Sequence, residues 1–330
     1  MINLEVRILV TGAAGSIGAA SLDFLRPNHE VLGIDNYSDY YSPLYKTARV
    51  DHYNLKSLIK AVDIYDYEKS KQVFNEFKPE IVIHLAARPG VRANYRNINE
   101  YIESNISGFN NLARLSIEFK VSKFIYASSS SIYTENNKSP FTEDDILYYP
   151  KSFYAITKQS NEMMAKYFAS ESTKFLGMRF FTVYGPWGRP DMAVLQFLGK
   201  SLNGIKPKFT SELTIQRDFT FIDDVTRIIG ESINIELPNK YASINIGGSS
   251  PRSMLDLIKI IRSLGLDLEF DNYPPSNEDI KFTHASIGKL KAMGFTVPTT
   301  TLEVGVRKTY DWLVSQNSQI PIIAISELNN

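Results

Sequence analysis

Apolar residues in the first half of the chain fall into short runs that alternate with stretches of helical spacing. The runs are rich in Val, Ile, Leu and Phe and predict strands near 6–11, 30–34, 59–63, 81–86, 123–127 and 174–180. The stretches between them repeat apolar residues every three or four positions and predict helices near 17–26, 67–77, 100–119 and 153–169. Strands without a polar face, separated by helices, are typical of a parallel sheet covered on both sides.

The pattern changes in the second half of the chain, where Pro and Gly recur. Two segments there, RDFTFIDDV and ASINIGG, indicate strands that return to the main sheet. We therefore expect residues 1–181, with return segments near 217–249, to form one domain. Residues 182–216 and 250–315 would form a smaller lobe, interleaved with the first domain. The tail at 316–330 matches no pattern to which we assign a role.

Charge and composition exclude several classes of protein. The 330 residues include 36 Lys and Arg and 36 Asp and Glu, so no net charge draws the chain to nucleic acid or a membrane surface. No apolar run reaches the roughly 18 residues of a membrane span, and the N-terminus enters a predicted strand without a signal-peptide pattern. The lack of Cys excludes disulfides and fits a cytoplasmic location. The four His have no metal-ligand spacing, so we expect no metal site.

A glycine-rich turn follows the first predicted strand. Gly12, Gly15 and Gly18 are spaced G-x-x-G-x-x-G, with a strand before them and a helix after them. Such glycines let backbone N–H groups approach a pyrophosphate at a helix N-terminus. The second strand ends at Asp35, 17 positions after Gly18, where a carboxylate can accept hydrogen bonds from a ribose. It would also repel the extra phosphate of NADP, so the pattern predicts an NAD site.

Tyr154 and Lys158 lie four residues apart in a predicted helix and therefore share one face. A phenol is a poor base at neutral pH, and a nearby ammonium favours its ionised form. Four consecutive serines, Ser128–Ser131, follow a predicted strand and could hydrogen-bond the same substrate oxygen. Together these groups suit removal of a proton from an alcohol while a hydride leaves the carbon.

Eight segments within residues 6–250 resemble, in the same order, the motifs of nucleotide-sugar epimerases of the extended short-chain dehydrogenase/reductase family. They are VTGAAGSIG, GIDNYSDYY, IHLAARPGVR, SNISGFNNL, FIYASSSSIY, YAITKQSNE, RFFTVYGPWGRPDMA and QRDFTFIDDV. The block FFTVYGPWGRPDMA most resembles the UDP-glucuronate 4-epimerases. The resemblance implies an α/β fold: a Rossmann-type, doubly wound parallel sheet with a smaller, interleaved C-terminal lobe that binds substrate. It also implies NAD as cofactor, a UDP-sugar substrate and a homodimer.

The resemblance assigns roles to individual positions. Tyr154 would be the base, Lys158 would tune it and bind the nicotinamide ribose, and Ser129 would share the substrate hydroxyl. Residues of the glycine turn, the following strand ends, one helix and the serine run would hold the cofactor: Gly12, Gly15, Ser16, Ile17, Gly18, Asp35, Asn36, Asp63, Ile64, Ala86, Ala87, Asn105 and Ser128.

Three arginines are the expected anion-binding residues of the substrate site. By the same resemblance, Arg217 would face the UDP pyrophosphate, and Arg189 with Thr182 would meet a hexuronic carboxylate. Arg92 is a further candidate for carboxylate or phosphate. Arg189 could instead be a structural loop residue that pairs with Asp191.

Ser130, a candidate substrate contact, and Ser131 bear on the type of reaction. Related 4,6-dehydratases carry an Asp-Glu pair at these positions, and UDP-glucuronate decarboxylases usually carry Glu at the second. Two hydroxyls leave oxidation and re-reduction at one carbon, which inverts C4 of a UDP-sugar through a 4-keto intermediate. UDP-glucuronate and UDP-galacturonate are the expected pair. A UDP-glucose or UDP-N-acetylhexosamine 4-epimerase, a UDP-glucuronate decarboxylase and a non-catalytic NAD-binding scaffold remain alternatives.

Overall fold

Seven parallel strands form the main sheet of the computed structural model, which describes residues 5–90, 97–134, 138–147, 149–210, 212–273 and 280–316. With elements numbered along the chain, these strands are β1 (Arg7–Thr11), β2 (Glu30–Asp35), β3 (Ile59–Ala61), β4 (Ile81–His84), β5 (Lys123–Ser129), β6 (Lys174–Phe180) and β10 (Tyr241–Ile246). Their order across the sheet is β10-β6-β5-β4-β1-β2-β3. The predicted doubly wound α/β fold is confirmed.

Helices cover both faces of this sheet. They are α1 (Ser16–Leu25), α2 (Pro43–His52), α3 (Tyr67–Phe77), α4 (Ile98–Tyr101), α5 (Phe109–Glu118), α6 (Phe153–Phe168) and α8 (Ile222–Asn234), with a π-helical segment, Ile102–Gly108, joining α4 to α5. Successive strand residues point to opposite sides. Ile8 and Val10 of β1 pack in the cluster that contains Leu22 of α1, whereas Leu9 packs in the cluster that contains Leu112 of α5.

The remaining elements build a smaller lobe beside the carboxyl edge of the sheet. They are β7 (Thr182–Tyr184), α7 (Ala193–Leu202), β8 (Lys208–Thr210), β9 (Gln216–Phe221), β11 (Pro251–Ser253), α9 (Met254–Ser263), β12 (Asp271–Tyr273) and α11 (Leu302–Ser315), whereas α10 (Gly288–Ala292) packs on β10 of the main sheet. The lobe's own apolar cluster includes Phe197, Leu257 and Val306. Within the part of the chain that is described, no helix is long and apolar enough to cross a membrane.

One predicted strand lies in a different sheet from the one expected. The segment RDFTFIDDV was predicted to return to the main sheet, but its strand, β9, pairs with β7 and β11 in a separate three-stranded sheet. The rings of Phe219 and Phe221 lie 5.8 and 5.6 Å from that of Tyr184 on β7. This aromatic contact holds the strand in the small lobe. The residues IDDV begin α8, which packs on α1, and ASINIGG does supply β10 of the main sheet.

Candidate active site

A cleft of about 1320 Å³ lies between the carboxyl ends of the main strands and the smaller lobe. Ligands of open α/β sheets bind at this edge, where the strand order reverses, which here is between β1 and β4. Pockets for a single small ligand usually measure ~300–1,000 Å³. The larger volume accommodates a dinucleotide together with a second ligand.

The glycine turn forms one wall of the cleft, between β1 and α1. Gly12 has φ +70°, and a Cβ there would lie 2.7 Å from the backbone nitrogen of Ala86. A Cβ on Gly18 would clash with the Gly12 carbonyl oxygen. Gly15 is the N-cap of α1, and no side chain caps this helix end. The turn therefore presents unblocked N–H groups to the cleft and fits a dinucleotide pyrophosphate.

Asp35 ends β2 beside this turn. Its two carboxylate oxygens accept hydrogen bonds from the backbone nitrogens of Ala14, at 3.0 Å, and Tyr37, at 2.7 Å. Asn36 donates to Asp63 at 2.9 Å, so the ends of β2 and β3 are joined. The structure brings the following predicted cofactor residues into one cleft wall: Gly12, Gly15, Ser16, Ile17, Gly18, Asp35, Asn36, Asp63, Ile64, Ala86 and Ala87.

Asn105, by contrast, is not among the residues that line the cleft, and its predicted contact with the cofactor stays a prediction. It lies in the π-helical segment, where its side-chain amide bonds to both backbone groups of Arg88 and to the Thr157 hydroxyl, at 2.7–3.0 Å. These contacts use the amide oxygen and nitrogen within the protein. Asn105 therefore fixes the loop after β4 against α6, the helix that carries Tyr154.

The hydroxyls of Ser128 and Ser129, at the end of β5, have different hydrogen-bond partners. The buried Ser128 hydroxyl donates to Glu162 at 2.6 Å, and Glu162 also forms a buried ion pair with Arg179 at 2.8 Å. Ser128 also lines the cleft, and its donated proton is used by Glu162, so toward a cofactor its hydroxyl could act only as an acceptor. Ser129 is half-buried, and its hydroxyl lies 2.8 Å from that of Ser131. Ser129, Ser130 and Ser131 all line the cleft.

Tyr154 and Lys158 face the cleft from the first turns of α6, whose N-cap, Ser152, accepts a hydrogen bond from the Ala155 nitrogen at 3.2 Å. The Lys158 ammonium donates to the Ala127 carbonyl at 2.9 Å. It lies 5.8 Å from the centroid of the Tyr154 ring. The predicted shared face is therefore present, directly beside the strand end that carries Ser129.

Burial dominates the acid–base properties of this pair. Burial raises the pKa of Tyr154, and this effect exceeds the opposing influence of the Arg189 charge and of hydrogen bonding to Ser129. Lys158 is not among the groups that shift it. Burial lowers the pKa of Lys158 to about 8. The expectation that the Lys158 ammonium favours the phenolate stays a prediction; Arg189 and Ser129 are the groups that favour ionisation of Tyr154 in the structure.

Arg189, the residue predicted to bind a substrate carboxylate, is paired within its own loop. Its guanidinium binds both carboxylate oxygens of Asp191, with Nε 3.0 Å from Oδ1. This is the structural pairing that the sequence left open, yet Arg189 also lies in the cleft wall with Thr182 and Arg217. Arg92 lies outside the described residues. The arginine is therefore both paired and placed to act on Tyr154.

Two further residues beside Arg189, Tyr40 and Arg88, were missed by sequence reasoning. The Tyr40 hydroxyl donates to Asp191 at 3.2 Å, and its ring lies between two guanidiniums, those of Arg88 at 5.2 Å and Arg189 at 5.3 Å. Arg88 is ion-paired with Glu100 at 2.6 Å. Both residues fall within quoted motifs, GIDNYSDYY and IHLAARPGVR, but nothing in their spacing shows that the two loops meet.

Comparison with known proteins places the chain in a family. Residues 8–247 match the model of the NAD dependent epimerase/dehydratase family. The chain is 37% identical over 311 residues to the UDP-glucuronate 4-epimerase of Thermodesulfobacterium geofontis, a match that covers 92% of this chain and 95% of that protein. The protein therefore belongs to the NAD dependent epimerase/dehydratase family. Accordingly, its cofactor is NAD.

Solved structures with similar folds include those of sugar-nucleotide 4-epimerases. The UDP-glucuronic acid 4-epimerase of Bacillus cereus, in complex with UDP-glucuronic acid and NAD, has a TM-score of 0.86 and 31% identity, covering 94% of this chain and 99% of that one. The UDP-glucose 4-epimerase of Thermotoga maritima, with UDP-glucose, has a TM-score of 0.84 at the same identity and coverage. The fold alone does not separate the two sugars.

Proposed function

We propose that this protein is a UDP-sugar 4-epimerase that interconverts UDP-glucuronate and UDP-galacturonate. The observation that carries the proposal is the shared cleft: Ser129, Tyr154 and Lys158 lie at the end of the NAD-binding wall, with the Arg189 guanidinium close enough to influence the Tyr154 pKa. If the C4 hydroxyl of a uronic acid contacts Tyr154, the carboxylate of the same sugar would lie within reach of the Arg189 guanidinium.

The residues of the chain have distinct roles in this proposal. Tyr154 takes the proton of the C4 hydroxyl and later returns one, while Ser129 hydrogen-bonds the same oxygen. Lys158 lines the cofactor cleft beside Tyr154 and would bind the nicotinamide ribose. NAD, which the glycine turn and Asp35 would hold, would supply reversible hydride chemistry at C4 when bound. Arg217 would hold the UDP pyrophosphate while the sugar turns.

The serine run limits the reaction to inversion. Ser131 donates its backbone N–H to the Ser129 hydroxyl at 3.2 Å and shares a hydrogen bond with it. A carboxylate at either Ser130 or Ser131 could serve as an acid or base for loss of water. Hydroxyls at these positions give no such proton relay, which supports epimerisation over dehydration.

The domain arrangement and assembly belong to the same proposal. We assign residues 1–181, with 222–249, to the NAD-binding domain and residues 182–221 with 250–315 to the substrate lobe, because β9 (Gln216–Phe221) pairs with β7 and β11 in the sheet of the smaller lobe. A homodimer through α6 and the neighbouring π-helical segment is supported by exposed apolar side chains on these elements: Ile102, Ile156, Met163 and Tyr167, which are 40–85% exposed. A cytoplasmic location is consistent with a chain that lacks cysteine.

One observation favours a second candidate, a 4-epimerase of neutral UDP-sugars. Arg189 is already neutralised by Asp191, so a substrate carboxylate would have to compete for it. Purified protein incubated with UDP-glucuronate or with UDP-glucose, without added NAD, decides between them. We expect NMR spectra to show UDP-galacturonate forming far faster than UDP-galactose. Preference for UDP-glucose would establish the second candidate.

A further inference from the structure

We propose that Arg49 is a positioning residue that ties the loop carrying Arg189 to the cofactor-binding turn and thereby sets substrate selectivity; this inference rests on the proposed function. Arg49 lies on the buried face of α2 and is 0% exposed. Among the described residues, no carboxylate lies within ion-pair distance of its guanidinium. A buried charge without a counter-ion is costly. The hydrogen bonds of the Arg49 guanidinium therefore indicate a structural role for this side chain.

These hydrogen bonds join two loops that are far apart in the chain. Nη1 donates to the carbonyl of Ala14, inside the glycine turn, at 2.6 Å. Nε donates to the carbonyl of Trp187 at 2.9 Å, and Nη2 approaches that of Gly188 at 3.4 Å. A guanidinium holds several donors in one rigid plane. The two loops are therefore fixed relative to each other by a single side chain.

The loop that Arg49 holds has an unfavourable backbone conformation. Trp187 has φ +56°, in the left-handed region that large side chains seldom adopt. Its ring is buried against those of Tyr45, at 5.5 Å, and Trp312, at 5.1 Å. The Tyr45 hydroxyl also holds this loop, because it donates a hydrogen bond to the Gly188 carbonyl at 3.1 Å. Arg189 follows directly, so its direction into the cleft depends on these bonds.

The test measures selectivity by binding alone, in a Tyr154→Phe background where the sugar is not turned over. Calorimetry gives the ratio of the Kd for UDP-glucose to the Kd for UDP-glucuronate. Arg49→Lys keeps the charge and loses the planar donor set. We expect it to lower this ratio by roughly fivefold to tenfold, which corresponds to part of the contribution of one charge-assisted hydrogen bond. In an Arg189→Ala background the same substitution should change the ratio by less than about twofold, because coupled residues are not additive.

Tyr45→Phe is the milder variant, since it removes only the hydrogen bond to the Gly188 carbonyl and keeps the ring. It should also lower the ratio, by about twofold or more. If Arg49→Lys does not fold, Tyr45→Phe alone tests whether this loop is positioned from α2. Arg227→Lys is the matched control, because Arg227 also donates to two backbone carbonyls, those of Thr296 and Val297, but lies away from the cleft. It should leave the ratio unchanged.

The outcomes separate this inference from the proposed function. If Arg189→Ala alone leaves the ratio unchanged, the uronate site itself is wrong and the inference is overturned with it. If Arg189→Ala lowers the ratio but Arg49→Lys and Tyr45→Phe do not, only the positioning role is overturned. Equal effects of Arg49→Lys in both backgrounds would also overturn it, because they would show action independent of Arg189.

Discussion

The ammonium of Lys158 lies 5.8 Å from the ring centroid of Tyr154, one helical turn earlier on α6. Burial opposes the charged form of both groups, because it raises the pKa of the phenol and lowers that of the ammonium to about 8. Proton transfer at Tyr154 therefore depends on the other groups around it. Ser129 and Arg189, which both lower its pKa, are the ones present in the cleft.

Tyr154→Phe is expected to lower kcat by at least ~100-fold, the usual contribution of a positioned general acid–base group. The substitution removes one hydroxyl and keeps the ring, so the affinity for the sugar nucleotide should change little. Initial rates and calorimetric binding check the two statements. Tyr149→Phe is the matched control, since Tyr149 is 93% exposed. A variant that keeps most of its activity would show that another group is the base.

The protein should be isolated with NAD or NADH and without NADP(H). Asp35 places a carboxylate at the end of β2, where a 2′-phosphate would meet a like charge. Denaturation of the purified protein and identification of the released nucleotide by chromatography check this. Asp35→Asn, which keeps an oxygen acceptor and removes the charge, should raise the relative affinity for NADP. Release of mainly NADP from the wild type would overturn the assignment of Asp35.

His84 should make the protein less stable as the pH falls. Its ring is buried between Phe109 and Phe124, its Nδ1 lies 2.8 Å from the Thr11 hydroxyl, and burial lowers its pKa to about 3. The unfolded chain takes up a proton near pH 6.5 and the folded chain does not. The contribution of His84 to the free energy of unfolding is therefore fully present above pH 6.5. Below that pH the free energy of unfolding declines, by at most ~1.4 kcal/mol per pH unit.

His84→Gln, which keeps an acceptor for Thr11, should be less stable at pH 8 and should show a shallower decline between pH 6.5 and 4. Chemical denaturation across this range gives both quantities. An unchanged slope in His84→Gln would mean that this histidine does not carry the pH dependence.

The sequence predicts the NAD-binding wall well because the signals there are local. Gly12, Gly15 and Gly18 must be small for steric reasons that the structure shows directly, and Asp35 follows at the end of the next strand. The alternation of strands and helices also predicts the sheet, since strands buried on both faces leave a clear apolar pattern. These features need no knowledge of distant contacts.

Other features depend on contacts between distant segments and leave no local signal. The helix α2 was not predicted, because its buried face contains Tyr45, Lys46 and Arg49 in place of an apolar stripe. The Asn105 amide binds the backbone of Arg88, which only the folded π-helical segment brings near. The pKa of Tyr154 likewise follows from burial, which spacing along a helix does not reveal.

Arg189→Ala should reduce the preference for UDP-glucuronate over UDP-glucose by roughly one to two orders of magnitude in kcat/KM. A charge-assisted hydrogen bond contributes ~1.5–3 kcal/mol, and only the uronate carries the carboxylate that would receive it. Steady-state kinetics with both sugars measure the ratio. The 4-keto uronate, a β-keto acid, should also lose CO2 more readily when its carboxylate is not held.

Asp191→Asn is the matched variant for this experiment. It breaks the same ion pair within the loop but keeps the guanidinium and removes the carboxylate that competes with the substrate. The preference for UDP-glucuronate should therefore be retained or increased. If both variants lose the preference equally, the loop matters only as a structure, and Arg189 does not contact the sugar.

The most direct test of the central claim is NMR of UDP-glucuronate incubated with the purified protein in D2O without added cofactor. The account predicts UDP-galacturonate whose C4 carries the substrate's own hydrogen, because the hydride removed from C4 returns to the same carbon. No net NADH should accumulate. Deuterium at C4 of the product, or no conversion of UDP-glucuronate by protein that contains NAD, would contradict it.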